Sequence, residues 1–391
     1  MIEFKENGKE LVILLKGRLD ANNAGDVEAQ IIAKMEECSP ETVICDASEL
    51  EYISSAGLRV VLRLRKTNDT LRIIGVSPEV YEIFEMTGFS ELIPIEKAFR
   101  QVSVDGCEVI GVGANGTVYR LDPETIIKAY RPGIDLSDIK REQELARTAF
   151  VKGIPTAISY DVVKVGESYG SVFELLNAKS LTKLILADPD SIDTQIQTFV
   201  DLMKQIHSTP VSENEMPCMK DVAIDWVDFL KPYLEEGLWN KLKALFEAIP
   251  NSHTMLHGDY HTKNVMVQNG ETLLIDMDTL AYGNPVFEMG SVYNAYVGFS
   301  VLDHSIIEKF QGFSFETGQY IWNEILKRYF ETDDPNVLKE KEDKAIVVGY
   351  TRLLRRSIRR GALDSEEGKQ QLAYYVKEIE ERLTRLDNLA Y

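Results

Sequence analysis

The segment MLHGDYHTKNVMV at residues 255–267, followed by LLIDMD at residues 273–278, carries the clearest chemical signal in this chain of 391 residues. The spacing HxDxxxxN places Asp259 and Asn264 on one tight loop. The apolar runs that follow predict two short strands, and the second delivers Asp276 beside that loop. Because the chain holds only 5 His, this spacing is improbable by chance.

These residue types match what phosphoryl transfer requires. That reaction needs one carboxylate near the attacking hydroxyl, and a carboxamide with a second carboxylate to hold Mg²⁺ against the nucleotide phosphates. The loop and the strand together supply one carboxamide and two carboxylates. The segment therefore predicts a phosphoryl-transfer site.

A glycine-rich stretch, GVGANGTVY at residues 111–119, lies between two predicted strands. Gly111, Gly113 and Gly116 allow backbone N–H groups to approach phosphates with no Cβ in the way. A plain hairpin turn is the alternative interpretation of this pattern alone. A Rossmann arrangement is excluded, because a strand and not a helix follows the glycines.

Lys128 lies on the next predicted strand, in the run IIKAY at residues 126–130. It is either a surface lysine on an edge strand or a phosphate-binding lysine held by a glutamate of the following helix. That helix offers Glu142 and Glu144, which are two residues apart and face different directions.

The pattern of elements changes near residue 102. Before it, short β-rich runs alternate with helical patterns, which predicts a compact α/β domain. After it, about five closely spaced strands and one helix precede a mainly helical region, the α+β layout of a bilobal kinase. We predict domains at residues 1–101 and 102–391, the second with a β-rich lobe at about 102–176 and a helical lobe at about 177–391.

The HGDYHTKN loop and the IDMD strand resemble the aminoglycoside phosphotransferase and choline kinase group, whose loop begins H-G-D where protein kinases have H-R-D. The resemblance extends from about Glu108 to at least Phe287. It implies the protein-kinase-like fold and transfer of the γ-phosphoryl group of ATP, with Mg²⁺, to a hydroxyl that we expect on a small molecule.

The same resemblance assigns roles to residues. It implies that Asp259 is the catalytic aspartate and that Asn264 and Asp276 bind Mg²⁺. Lys128 would contact the ATP phosphates, and the family's spacing favours Glu142 as its partner. The remaining nucleotide-binding residues, in the glycine loop and the hinge between lobes, are Gly111, Gly113, Gly116, Glu174 and Leu176.

Five further polar residues near these motifs receive supporting or structural interpretations. His257 is expected to support the loop by hydrogen bonding, and His207 to pack at a helix end. Asp278 fits a supporting acid and a surface residue equally. His261 and Lys263 are interpreted as solvated loop residues.

Residues 1 to about 100 resemble a STAS domain, the fold of bacterial anti-sigma-factor antagonists, through GRLD at 17–20 and CDASELEYISSAGL at 45–58. In that family the serine matching Ser55 receives a phosphate, although Ser54 stands here where the family usually has aspartate. Ser55 is therefore a candidate phosphorylation site and a candidate helix N-cap. The resemblance implies a regulatory domain that binds a protein partner.

Two other functions stay open. The acceptor could be a protein serine, Ser55 of this chain included. The chain could instead be a non-catalytic scaffold that senses a nucleotide in anti-sigma-type signalling.

Charge and hydropathy limit the partners. The net charge of -20 disfavours nucleic acids and anionic membranes, and no run is long enough to cross a bilayer. The four cysteines lie far apart, and none has a partner at metal-ligand spacing. This scattered cysteine usage favours a reducing cytoplasm. The basic run RLLRRSIRR at residues 352–360 fits an anion-binding surface or a helix face paired with nearby acids, and the second is favoured.

Overall fold

The computed structural model describes residues 2–113 and 115–391. Two compact units divide the chain: residues 1–107 with 161–170, and residues 108–160 with 171–391. The boundary at residue 102 that we predict for the domains remains our proposal.

The first unit is built on one five-stranded sheet with the strand order β1-β2-β3-β4-β5. Strands β1 and β2 are antiparallel, and the later neighbours are parallel, because helices connect them. Its elements are β1 (Ile2–Asn7), β2 (Glu10–Leu19), α1 (Ala24–Cys38), β3 (Thr42–Ile53), α2 (Ser55–Thr67), β4 (Arg72–Val76), α3 (Pro78–Met86), α4 (Phe89–Leu92) and β5 (Ile95–Lys97).

Strand β2 shows why this unit folds as it does. Leu11, Ile13 and Leu15 alternate with less buried residues and lie in the core of the unit. Helix α2 packs closely at Gly57, where an added Cβ would lie 2.8 Å from the carbonyl oxygen of Leu19. Helix α2 thus approaches this strand through a residue that has no side chain.

Residues 161–170 belong to the first unit although they come later in the chain. Strand β9 (Asp161–Val165) holds the segment that ends the first domain: the Val102 N–H donates to the Lys164 carbonyl over 2.9 Å. Arg100 also forms an ion pair with Asp161 at 3.1 Å.

The second unit begins with strands that precede and follow one helix. Strands β6, β7 and β8 form an antiparallel meander, and β10 lies beside β8. The elements are β6 (Glu108–Val112), β7 (Gly116–Arg120), β8 (Thr125–Tyr130), α5 (Leu136–Val151) and β10 (Ser168–Glu174), of which residues 171–174 lie in this unit.

Helices dominate the rest of the second unit. Short strand pairs frame the loop from His257 to Asn264, which we call the central loop. The short strands are β11 (Lys179–Ser180), β12 (Met255–Leu256), β13 (Val265–Gln268), β14 (Glu271–Leu274) and β15 (Ala281–Tyr282). The helices are α6 (Leu181–Ala187), α7 (Ile192–Ser208), α8 (Met219–Leu230), α9 (Glu236–Glu247), α10 (Val286–Tyr293), α11 (Ser305–Gln311), α12 (Phe315–Phe330), α13 (Pro335–Arg359) and α14 (Glu366–Leu383).

Helices α10 and α13 cross at two glycines. An added Cβ at Gly290 would lie 2.9 Å from the Gly349 nitrogen, and one at Gly349 would lie 2.7 Å from the Gly290 carbonyl oxygen. Only glycine permits so close a crossing. This contact fixes the position of α13 against the helix that follows the central loop.

Among the residues that the structure describes, no helix combines the length and the apolar character needed to cross a membrane.

Candidate active site

Lys128 is the centre of an ion-pair cluster in the second unit. Its Nζ lies 2.7 Å from Glu142 Oε1 on α5 and 3.2 Å from Asp276 Oδ1 after β14. Burial favours the neutral amine, but the carboxylates of Glu142 and Asp276 outweigh it and hold the pKa of Lys128 above its usual value. A permanent positive charge is therefore held beside Asp276.

The glutamate that binds Lys128 is Glu142 and not Glu144. Glu142 also accepts a hydrogen bond from the Tyr130 hydroxyl over 3.1 Å, which fixes its carboxylate on the strand side of α5. Glu144 is exposed on another side of the same helix. The helical rotation between the two positions explains the difference.

The central loop runs from His257 to Asn264, between β12 and β13. The Asn264 Nδ2 group donates to the Asp259 carbonyl over 3.0 Å, which closes the loop on itself. The Ile275 N–H donates to the Asn264 carbonyl over 3.0 Å. Because Asp276 is the next residue, this bond brings Asp276 beside the loop that carries Asp259.

His257 supports the loop by hydrogen bonding. Its Nδ1 accepts from the Asp259 N–H over 3.3 Å, and its Nε2 lies 3.1 Å from the Ile275 carbonyl oxygen. These contacts assign the ring proton to Nε2. The side chain is fully buried, which suits a supporting role.

Gly258 explains why the loop begins H-G-D. Its φ is +83°, and an added Cβ would lie 2.5 Å from the Thr279 carbonyl oxygen. A side chain would clash with that backbone in an already disfavoured conformation. The Thr279 hydroxyl also donates to the His257 carbonyl over 2.7 Å.

Glu288 on α10 anchors the same loop and was missed by sequence reasoning. Its buried carboxylate accepts from the backbone N–H groups of His257, at 2.5 Å, and Gly258, at 3.0 Å. Burial opposes its charge, but the neighbouring His207 imidazole, whose Nε2 lies 3.8 Å from Oε2, and these backbone contacts lower the pKa of Glu288. A charged residue inside the apolar run PVFEMG was the available signal.

Asp276 has a left-handed backbone, with φ 63° and ψ 66°. This conformation costs a non-glycine residue on the order of 1 kcal/mol, and such strain concentrates at functional sites. It turns the carboxylate towards Lys128, and the side chain stays 44% exposed.

Asp278 is a half-buried acid that holds the glycine loop. Its Oδ2 accepts from Asn115 Nδ2 over 2.8 Å. Burial, with the nearby carboxylates of Asp276 and Glu142, raises the pKa of Asp278 to about 7. It is therefore a supporting acid and not a surface residue.

The three glycines of the loop differ in what the fold demands. A Cβ at Gly116 would collide with the Ala129 carbonyl, so strand packing requires glycine there. At Gly113 and Gly111 an added Cβ would meet nothing nearer than 3.7 Å. The described neighbours thus do not account for glycine at these two positions.

Glu174 and Leu176 lie at the end of β10 and just after it. Glu174 is exposed and Leu176 is half-buried. In the described part of the chain, neither forms a hydrogen bond or an ion pair with Lys128, Asp259 or Asp276.

His261 and Lys263 were predicted to be solvated loop residues, and for His261 the prediction is wrong. His261 is buried against Phe310, with ring centroids 5.1 Å apart, and its Nε2 lies 3.7 Å from Asp259 Oδ2. Its burial lowers the pKa of the imidazole. Lys263 is exposed, and its Nζ donates to the Phe310 carbonyl over 2.5 Å.

A Mg²⁺ ion fits the donors present here. Asn264 offers an amide oxygen and Asp276 a carboxylate, and Mg²⁺ usually takes one or two such ligands together with phosphate oxygens and water. The residues that the structure describes contain no group of three or more His, Cys, Asp or Glu that could hold a metal ion by themselves. The donor set therefore suits a metal that arrives with a phosphate ligand.

In the first unit, the helix cap near Ser55 differs from the prediction. Ser54 is the N-cap of α2, and its Oγ accepts from the N–H groups of Ala56 at 3.2 Å and Gly57 at 3.5 Å. Ser55 is the first helical residue and is exposed. Its hydroxyl is not used in capping, because the preceding serine already serves as the cap.

The basic run at residues 352–360 was predicted to pair with nearby acids, and this prediction is wrong. Across residues 2–113 and 115–391, none of its five arginines forms a salt bridge. Arg352 instead donates from Nη1 to the Gly258 carbonyl over 2.7 Å. Tertiary packing against the loop, which the helical pattern does not encode, determines this contact.

Residues 106–320, more than half of the chain, match the phosphotransferase enzyme family. The chain belongs to this family. Residues 1–102 match the STAS domain. The fold class predicted from the sequence is thereby confirmed: a STAS-like α/β domain followed by a kinase-like phosphotransferase domain of mixed helices and sheets.

The STAS part is similar to curated bacterial proteins. It is 37% identical over 89 residues to BtrV of Bordetella bronchiseptica, described as an anti-sigma factor antagonist; the match covers 22% of this chain and 76% of that protein. It is 32% identical over 101 residues to the anti-sigma-B factor antagonist of Listeria monocytogenes, covering 24% of this chain and 87% of that protein.

The phosphotransferase part is similar to solved structures. The ADP-bound aminoglycoside phosphotransferase APH(2'')-Ib is 14% identical, with a TM-score of 0.49, and the match covers 77% of this chain and 98% of that chain.

Proposed function

We propose that this phosphotransferase moves the γ-phosphoryl group of ATP to a hydroxyl group of a small molecule, with Mg²⁺ as the metal. The observation that carries the proposal is the ion-pair cluster of Lys128 with Glu142 and Asp276, at 2.7 and 3.2 Å. A hydrogen bond from Ile275 to Asn264 links that cluster to the loop of Asp259.

Each residue has one task in this reaction. Lys128 binds the α- and β-phosphates, and Glu142 holds its side chain in place. Asn264 and Asp276 hold Mg²⁺, which neutralises negative charge on the phosphates when it is bound. Asp259 accepts the proton of the attacking hydroxyl, and its side chain is 47% exposed and accessible to an acceptor.

The glycine loop supports nucleotide binding in the same cluster. Because packing does not account for glycine at positions 111 and 113, a close approach of phosphates to the backbone at these positions is a sufficient reason for it. Asn115 of the same loop is tied to Asp278, which follows Asp276 by two residues. Glu174 and Leu176 complete the proposed nucleotide site as the hinge segment.

ADP formation from ATP tests this proposal. ADP release is measured with and without Mg²⁺ against a panel of hydroxylated metabolites and aminoglycosides. We expect Mg²⁺-dependent release that one acceptor class stimulates and that Asp276→Asn removes. Absence of ADP release with every acceptor, in protein that still binds ATP, would favour a nucleotide-sensing scaffold instead.

A second acceptor is favoured by one observation in the STAS domain, the exposed hydroxyl of Ser55, which capping leaves free. A phosphate there would add nearly two negative charges to a candidate partner-binding surface. Intact mass after incubation with Mg²⁺ and ATP tests it. A gain of one phosphate that both Asp259→Ala and Ser55→Ala abolish supports it, and no gain refutes it.

A further inference from the structure

Helix α13 extends from the glycine crossing to the central loop with a fixed register. Three residues after Gly349, Arg352 donates from Nη1 to the Gly258 carbonyl over 2.7 Å and to Ser291 Oγ over 2.9 Å. Gly258 directly precedes Asp259 in the sequence. Arg352 therefore ties α13 to the backbone of the loop that carries the catalytic aspartate.

Arg356 lies one helical turn beyond Arg352, on the same side of α13. It is exposed, and its guanidinium lies 4.7 Å from the centroid of the Phe299 ring. Arg360 follows four residues later and is also exposed. In the described residues neither guanidinium forms an ion pair or a side-chain hydrogen bond, so the N–H donors of both can bind a ligand.

Because Arg352 contacts the Gly258 carbonyl, Arg356 one turn later lies on the side of α13 that meets the loop. Partial desolvation, with the positive charges of Arg360 and Arg352, lowers the pKa of Arg356, while the carboxylate of Asp259 opposes that effect. Positions 352, 356 and 360 thus carry three arginines on one side of α13, and none of the three forms an ion pair within the described residues, in a chain with a net charge of -20. An anionic ligand would remove the repulsion.

We propose that the acceptor of this phosphotransferase carries a phosphate or carboxylate group besides its hydroxyl, and that Arg356, with Arg360 beside it, binds that anionic group while Asp259 faces the hydroxyl. The inference rests on the proposed function and narrows its acceptor class. An acceptor that carries only amino groups is repelled by the same arginines.

The reaction at such an acceptor balances as follows. The hydroxyl oxygen forms a bond to the γ-phosphorus, and the bond from that phosphorus to the bridging oxygen of ADP breaks. ADP leaves with the electron pair, and the hydroxyl proton passes to Asp259 and then to solvent. No further co-reactant is needed.

Anion binding tests the proposal without requiring turnover. Protein saturated with Mg²⁺ and a non-hydrolysable ATP analogue is titrated calorimetrically with inorganic phosphate, and separately with malonate as the carboxylate probe. We expect saturable binding of at least one probe. Arg356→Gln should weaken it on the order of tenfold to a hundredfold, because a charge-assisted hydrogen bond is lost, and Arg356→Lys should weaken it less.

Arg355→Gln is the matched control. Arg355 is next to Arg356 on the same helix, but its guanidinium lies over the Phe229 ring of α8 at 5.9 Å. This variant should bind the probes as the unchanged protein does. Unchanged affinity for the ATP analogue shows that each variant is folded. The proposal is overturned by no saturable binding of either probe, or by equal binding in Arg356→Gln.

Turnover separates this inference from the proposed function. ADP release is compared for glycerol, glycerol 3-phosphate, glycerate and kanamycin. Preference for an anionic acceptor that Arg356→Gln removes supports the inference. Release with glycerol or kanamycin alone, unaffected by Arg356→Gln, overturns it and leaves the proposed function standing. Binding of phosphate without any ADP release counts against the proposed function and still supports the anion site.

Discussion

The buried carboxylate of Glu288 lies 3.0 Å from the backbone nitrogen of Gly258 and accepts its hydrogen bond. It also accepts from the N–H of His257, so one charged side chain of α10 holds two successive amides of the loop. Such an anchor keeps Asp259 in a fixed position without contacting any reacting atom.

Replacing Glu288 by glutamine should destabilise the second unit. A buried charged acceptor contributes more than a neutral one, so we expect Glu288→Gln to lower the free energy of unfolding by about 2 kcal/mol at pH 7. Urea unfolding followed by tryptophan fluorescence measures this unit alone, because all three Trp residues lie in it, at positions 226, 239 and 322.

The pH dependence of that loss has a definite sign. The pKa of Glu288 is below its usual value of 4.5 in the folded protein, so its contribution is fully present above that value and is lost as the pH falls through the lower, folded pKa. The difference between the variant and the unchanged protein should therefore shrink in acid. A difference that stays constant from neutral pH to about pH 3 would contradict this account.

Lys128 should be needed for nucleotide binding and turnover. We expect Lys128→Met to reduce kcat/KM for ATP by about a hundredfold or more, because one preorganised charge on the phosphates is lost. Glu142→Gln should cost about tenfold, since it only holds the lysine. Glu144→Gln is the control and should change nothing measurable; equal effects of the two glutamate variants would disprove the assigned pairing.

Gly258 should tolerate no side chain. Gly258→Ala adds a Cβ at 2.5 Å from the Thr279 carbonyl oxygen at a φ of +83°, so we expect a loss of about 2 kcal/mol of stability and loss of activity. Gly237→Ala, in helix α9 with nothing within 4 Å, should be neutral or stabilising. Tryptophan fluorescence in urea measures both, and similar stability of the two variants would refute the steric argument.

Ser54 and Ser55 should differ although they are neighbours. Ser54→Ala removes the N-cap of α2 and should cost about 1 kcal/mol, whereas Ser55→Ala should cost almost nothing. Hydrogen exchange of the α2 amides in the full chain measures the difference. Faster exchange in Ser55→Ala than in Ser54→Ala would reverse the assignment of the cap.

Local patterns were sufficient for much of the fold. The apolar run ELVILLKG at residues 10–17 is typical of a buried strand and corresponds to β2, and Ser77 followed by Pro78 indicates the start of α3. Strand β1, with the sequence IEFKEN, was missed, because only its pairing with β2 stabilises so polar an edge strand. The alternation of apolar and polar residues in this strand includes too few apolar residues to indicate a strand.

Long-range contacts could not be predicted from the sequence. Glu288 is a single acid in an apolar helix, and no spacing relates it to the loop 30 residues earlier that it anchors. Arg352 contacts a carbonyl 94 residues earlier in the chain, and a helical pattern predicts only neighbours three and four residues apart. Both contacts are determined by burial and tertiary packing.

The central claim is that phosphoryl transfer takes place at Asp259, in a nucleotide site that does not need this side chain for binding. Single-turnover ADP formation in Asp259→Asn, measured together with the Kd for a non-hydrolysable ATP analogue, tests it most directly. We expect transfer to fall by about a thousandfold with a Kd within about threefold of that of the unchanged protein. Transfer at the unchanged rate, or a loss of rate explained entirely by weaker nucleotide binding, would contradict the account.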